Sequence, residues 1–169
     1  MLYSFHGKIF VEITVGYTLG LDLTTSRFFI LKHPDGVGSN HMLSYADSGL
    51  YLVNAKGFQL TVWLHNLMGD DDDDDAGGWM LVDTFCVHEA CKRVVGDRWV
   101  PRVGDCVDIV AVGDNAEFLF LVHEPSTAIL YVHLRSRVVE KVYDKHAFGH
   151  IRIFPLMMIW PPVFPALNE

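Results

Sequence analysis

Cys86, His88 and Cys91 form a Cys-x-His-x-x-Cys run in "CVHEAC". Thiolates and an imidazole are ligands that suit zinc, but a closed tetrahedral site draws paired ligands from two separate elements. The only other candidates are Cys106 and the "HAFGH" residues His146 and His150, and Cys86 and Cys91 read as small packed residues, Cys86 on a strand and Cys91 on a short helix. The six consecutive carboxylates Asp70–Asp75 are the right chemistry for a hard cation. Adjacent Asp side chains repel and fan outward, however, and Gly69, Gly77 and Gly78 flank them. The expectation is a solvated, mobile loop over 69–78 rather than a calcium site. "DGVGSN" (35–40) is glycine-rich but lacks the Walker lysine and the G-x-G-x-x-G spacing, and no G-x-S-x-G elbow occurs. Asp47 and Asp114 sit in "ADS" and "GDN", where short polar side chains bond the local backbone in tight turns. Arg135-Ser136-Arg137 reads as a charged hairpin turn. No catalytic, cofactor-binding or metal-binding residue is therefore assigned, and no cofactor is expected.

The elements around these residues are strands. "FQLTVWLH" (58–65) alternates, with Phe58, Leu60, Val62 and Leu64 on one side and Gln59, Thr61, Trp63 and His65 on the other. "GLYLV" (49–53), "EFLFLV" (117–122) and "AILYVHL" (128–134) are apolar throughout, as strands covered on both faces are. "KIFVEITV" (8–15), "RFFILK" (27–32), "WMLVDTF" (79–85), "VDIVAV" (107–112) and "RVVEKVY" (137–143) complete the set, and only "VHEACKRVV" (87–95) has the character of a helix. The end, "IRIFPLMMIWPPVFPALNE", is too short and too rich in proline to span a bilayer, which takes about 20 apolar residues. Its apolar part reads as a last packed strand that the prolines terminate.

These strands repeat. "YADSGLYLV" (45–53) resembles "VGDNAEFLFLV" (112–122), and a turn and two further strands follow each. "LDLTTSRFFIL" (21–31) echoes "VHLRSRVVEKV" (132–142) around a Ser-Arg pair. A recurring antiparallel unit of about 40–50 residues is the signature of propeller blades. The expected fold is all-β, a partial β-propeller-like array of about three blades with at most one short helix, the first blade incomplete, in a single domain over 1–169. A β-sandwich accounts for the strands but not for the repeat. Three blades leave faces and edges open, so further blades or a partner, a second copy included, must cover them.

The totals limit the classes. Half the residues are hydrophobic, which excludes a wholly disordered chain, and the net charge of −8 argues against nucleic acid as a partner. With no long apolar span, a membrane is not an expected partner either. The three cysteines make no disulfide framework and the first residues lack signal-peptide character, so cytoplasm or nucleus is the expected compartment.

"GYTLGLDLTTSRFFILKHPDGV" (16–37), "SGLYLVNAKGFQLTVWLH" (48–65), "AVGDNAEFLFLV" (111–122) and "MMIWPPVFPAL" (157–167), in this order, resemble the C-terminal F-box-associated region of plant F-box proteins, particularly those of grasses. The resemblance implies a β-propeller-like domain and a non-enzymatic role in holding the substrate of a Skp–cullin–F-box ubiquitin ligase. It implies "MMIWPPVFPAL" as the closing segment. No "LPxDLLxxIL"-type stretch precedes the strands, so the F-box itself is not seen and the Skp-type adaptor is not an expected partner. An unidentified protein target is. A small-molecule or carbohydrate-binding β-protein, and a gene fragment without independent function, remain the alternatives.

Overall fold

The computed structural model describes residues 2–5, 7–14, 16–46, 49–66, 78–96 and 99–144, with the side chains of 2–5 and 144 excepted. Among the described residues, twelve strands fill three four-stranded antiparallel sheets, each a simple meander in chain order. Sheet 1 holds β1 (Leu2–Phe5), β2 (Lys8–Thr14), β3 (Tyr17–Asp22) and β4 (Arg27–Lys32). Sheet 2 holds β5 (His41–Ala46), β6 (Gly49–Lys56), β7 (Gln59–His65) and β8 (Trp79–Cys86). After α1 (His88–Val95), sheet 3 holds β9 (Val107–Val112), β10 (Phe118–His123), β11 (Ala128–His133) and β12 (Val138–Asp144). The expected partial propeller is what the chain forms, with one α-helix among the described residues. Sheet 1 corrects one expectation: it is a complete blade, because β1 and β3 add two strands that the apolar runs did not mark.

The repeat is a repeat of register. In sheet 2 Leu50 pairs with His65 and Ala55 with Leu60; 68 positions later Phe118 pairs with His133 and His123 with Ala128. The echo around the Ser-Arg pairs is also structural, but shifted by one residue. Ser26 and Arg137 are the equivalent positions, each ending a four-residue hairpin turn at φ 56°, and Thr127 does the same at 55°. In each turn the last strand residue anchors the loop. Asp22 Oδ1 accepts from the Thr24 and Thr25 N–H groups, His123 Nδ1 meets the Ser126 hydroxyl, and His133 Nδ1 accepts from Ser136 N–H.

The blades stack face to face, with sheet 2 in the middle. Leu50 and Leu52 of β6 join Phe10, Leu43, Phe29 and Trp79 against sheet 1. Val53 and Ala55 of the same strand, with Leu60 and Val62, join Leu119, Leu121, Leu130 and Val132 of sheet 3. That is why β6 is apolar on both faces. Each fully buried leucine here contributes about 1.5–3 kcal/mol relative to leaving it in water.

Polar bonds fix how the blades meet. The Asn40 amide donates to the Val107 carbonyl at 2.8 Å and to Asp108 Oδ1 at 3.1 Å, while its oxygen accepts from Ile109 N–H at 2.9 Å. Ser44 Oγ donates to the Gly113 carbonyl at 2.6 Å. Between sheets 1 and 2, Trp79 Nε1–H donates to the Lys32 carbonyl at 2.7 Å. The acidic run Asp70–Asp75, Asp47, His146, His150 and the closing strand expected over 151–160 lie outside the described residues.

Candidate functional site

Residues of sheets 2 and 3 together line a trough of about 630 Å³. Its floor is apolar: Tyr51, Val62 and Val82 from sheet 2, with Ala116 and Leu134 from the two hairpin turns of sheet 3. Charged and amide groups stand at the lip: Asp83, Asn115, Glu117, Arg135 and Arg137.

Local backbone chemistry sets each of these. β8 carries one extra residue against β7: Val62 pairs with Asp83 but Trp63 pairs with Leu81, so Val82 is the bulge. A bulge bends the strand and re-aims its neighbours, and here Val82 and Asp83 both line the trough, Val82 being 49% exposed. Asn115 and Ala116 take left-handed backbone conformations at φ 60° and 46° in a single 3₁₀ turn (Asp114–Ala116). Asn accepts that region more readily than most residues. Leu134 N–H bonds the Glu117 carbonyl at 2.9 Å, joining the two turns.

The walls are clamped across the blades. Arg137 Nη2 donates to Asp83 Oδ1 at 2.9 Å and to Oδ2 at 3.1 Å, and its guanidinium lies over the Phe85 ring, 5.3 Å from the centroid. The pair is exposed, so it holds geometry more than it stabilises, by about 1 kcal/mol at most. Arg135, two positions earlier in the same turn, has no carboxylate partner among the described residues. Glu117 lies 3.8 Å from His133 Nε2.

The Cys-x-His-x-x-Cys residues do not converge. Cys86 ends β8 and is exposed, which corrects the expectation that it is packed; Cys91 is buried in α1, and burial pushes its thiol up to about 12. His88 Nδ1 meets Glu89 Oε1 at 3.0 Å. No group of three or more His, Cys, Asp or Glu among the described residues could hold a metal ion. No helix among them is long and apolar enough to cross a membrane.

Two histidine clusters escaped sequence reasoning. At the seam of sheets 1 and 2, His33 Nε2 shares a hydrogen bond with Thr18 Oγ1 at 2.8 Å, and its ring lies 5.0 Å from that of His41. His41 Nδ1–H donates to the Gly38 carbonyl, and Glu12 Oε1 lies 3.1 Å from its Nε2. Thr18 and His33 are only 0% and 3% exposed, so this hydroxyl–imidazole pair is closed off from solvent. The second cluster places His123 against Trp99, with ring centroids 4.4 Å apart, while Trp99 Nε1–H donates to Asp105 at 2.8 Å. That bond, then the Arg102 N–H, holds the Asp105 carboxyl below its ordinary range. Nothing in the spacing of residues 12–41, or of 99–123, announces either cluster, since each draws its residues from separate strands and loops.

An all-β array of four-stranded meander blades defines a partial β-propeller-like domain, here carrying an open mixed-polarity trough between two blades. The chain belongs to the F-box protein AT5G49610-like, beta-propeller family, whose model matches residues 2–164. No curated protein and no solved structure matches it. Membership gives the coarse functional class, a protein-interaction domain of F-box proteins.

Proposed function

We propose that this domain is the substrate-recognition part of a plant F-box protein in a Skp–cullin–F-box ubiquitin ligase. It acts without catalysis, in the cytoplasm or nucleus, by holding a target protein for transfer carried out by other subunits. The observation that carries the reading is the open trough between sheets 2 and 3. The Asp83–Arg137 pair joins its walls, and its lip is charged. The family supplies the context. The Skp-type adaptor is not expected to bind residues 1–169 themselves, and a pull-down with purified adaptor should come back empty.

A volume of about 630 Å³ also falls in the range of small-molecule sites. Such sites bury most of their ligand, whereas Val82 here is half-exposed and the lip residues lie open, which favours a side chain of a larger partner. The experiment fuses an unrelated F-box to the N-terminus of this chain in grass cells and measures the half-lives of the proteins the chain captures. Shortened half-lives restored by proteasome inhibition support the reading. Unchanged half-lives overturn the ligase role.

A further inference from the structure

We propose that the trough between sheets 2 and 3 binds an extended peptide segment carrying an apolar residue next to a carboxylate, with Arg135 as the residue that reads the carboxylate. The inference rests on the reading of this chain as a protein-recognition domain and names the chemistry of what it recognises.

The two arginines of the β11–β12 turn have different states. Arg137 is engaged twice, by both Asp83 oxygens and by the face of Phe85. Arg135 lines the same trough, is exposed, and pairs with no carboxylate among the described residues. In a chain of net charge −8, a cation beside a cavity and without a partner is the group best placed to meet an incoming anion. A guanidinium offers a planar fork that matches a carboxylate in two parallel bonds. Asp83, already claimed by Arg137, does not compete for it.

The apolar half of the ligand follows from the floor. Tyr51, Val62, Val82, Ala116 and Leu134 offer no charge to a group lying on them. An aliphatic or aromatic side chain seated there gains by leaving water, about 25 cal/mol for each Å² of apolar surface covered. The Asp83–Arg137 clamp and the Leu134–Glu117 backbone bond fix floor and lip before a ligand arrives, which lowers the entropic cost of binding. A carboxylate on its own would find an exposed arginine with Glu117 at the same lip, and an apolar group on its own would leave Arg135 unanswered. The pair fits both.

The test is selection from a displayed peptide library on the full chain, run beside Arg135→Glu and Arg135→Gln chains whose melting temperatures are checked first. The parent chain should enrich an apolar residue adjacent to Asp or Glu. Arg135→Glu should exchange that acidic preference for Lys or Arg, a switch that simple unfolding cannot produce. A fluorescent version of an enriched peptide should bind Arg135→Gln about tenfold more weakly, judged by anisotropy, with the difference shrinking in high salt. Enrichment without acidic residues, the same enrichment on Arg135→Glu, or no enrichment at all overturns the assignment. If cellular targets are still captured and degraded by the Arg135→Glu fusion, the recognition reading stands and this trough is not where it happens.

Discussion

His33 shows how one buried side chain makes the molecule sensitive to pH. Its ring lies at the seam of sheets 1 and 2, with Thr18 on one nitrogen and no hydrogen-bond partner for Nδ1 among the described residues. Burial first, and the neighbouring His41 second, push its pKa from 6.5 down to about 4. Between those values the unfolded chain takes up a proton that the folded chain refuses. Stability is therefore complete above pH 6.5 and falls as the pH drops toward 4, by about 3 kcal/mol in all from this residue. His65 and His123, also lowered by burial, act in the same direction. Urea melts across this interval should show the decline, and His33→Gln should flatten it; an unchanged slope in that variant would refute the assignment. A second residue prediction concerns Gly20, opposite Phe29 in the β3–β4 ladder. A Cβ there would fall within the Phe29 ring, which packs edge-on against Phe10 at 5.9 Å. Gly20→Val should cost about 1–3 kcal/mol through overpacking, measurable as a lower urea midpoint with unchanged slope.

At the scale of elements, the three blades solve one connection in two ways. Sheets 1 and 3 join their third and fourth strands by four-residue turns, 23–26 and 134–137. In sheet 2 the same position holds residues 66–78, which include the acidic run. The β7–β8 ladder is complete on its own, from Gln59–Cys86 to His65–Trp79. Deleting 70–75 leaves seven residues to close a gap that the sister blades close with four. The melting temperature should move by less than about 3 °C, the equivalent of roughly 1 kcal/mol for a chain of this size; a larger drop would show the run to be engaged in the fold. β4 and β9 are legible in the sequence because each holds a run of four consecutive apolar residues, Phe28–Leu31 and Ile109–Val112. β3 and β5 are not. Gly20 interrupts β3, and β5 carries His41 and Ser44, polar residues that are buried only because Gly38 and Gly113 on other segments supply their partners. The trough is illegible for the same reason. Its floor and lip come from positions between 51 and 137 that share no spacing, and the one signal available was a turn with two arginines in an acidic chain.

At the scale of the whole molecule, sheet 1 leaves one apolar face uncovered among the described residues. The register of sheet 1 sets Ile9, Leu21 and Phe28 in one row and Val11, Leu19 and Ile30 in the next, all on the face turned away from Phe10 and sheet 2. Phe28 is 69% and Ile30 63% exposed, while the corresponding aliphatic rows of sheet 3 are covered by sheet 2. An apolar sheet face of this width rarely stays in water. For residues 1–169 on their own, the nearest complementary surface at high concentration is a second copy, because blade faces of this fold already pack on one another. Sedimentation velocity should show mass rising with concentration. Phe28→Ser with Ile30→Ser should move that rise to higher concentration while leaving the thermal midpoint almost unchanged, since neither side chain is buried in the monomer. A chain that stays monomeric throughout would mean the exposed rows do not drive association. A double variant that melts much earlier would mean they support the fold of sheet 1 itself, and the face would then be part of the core rather than a surface.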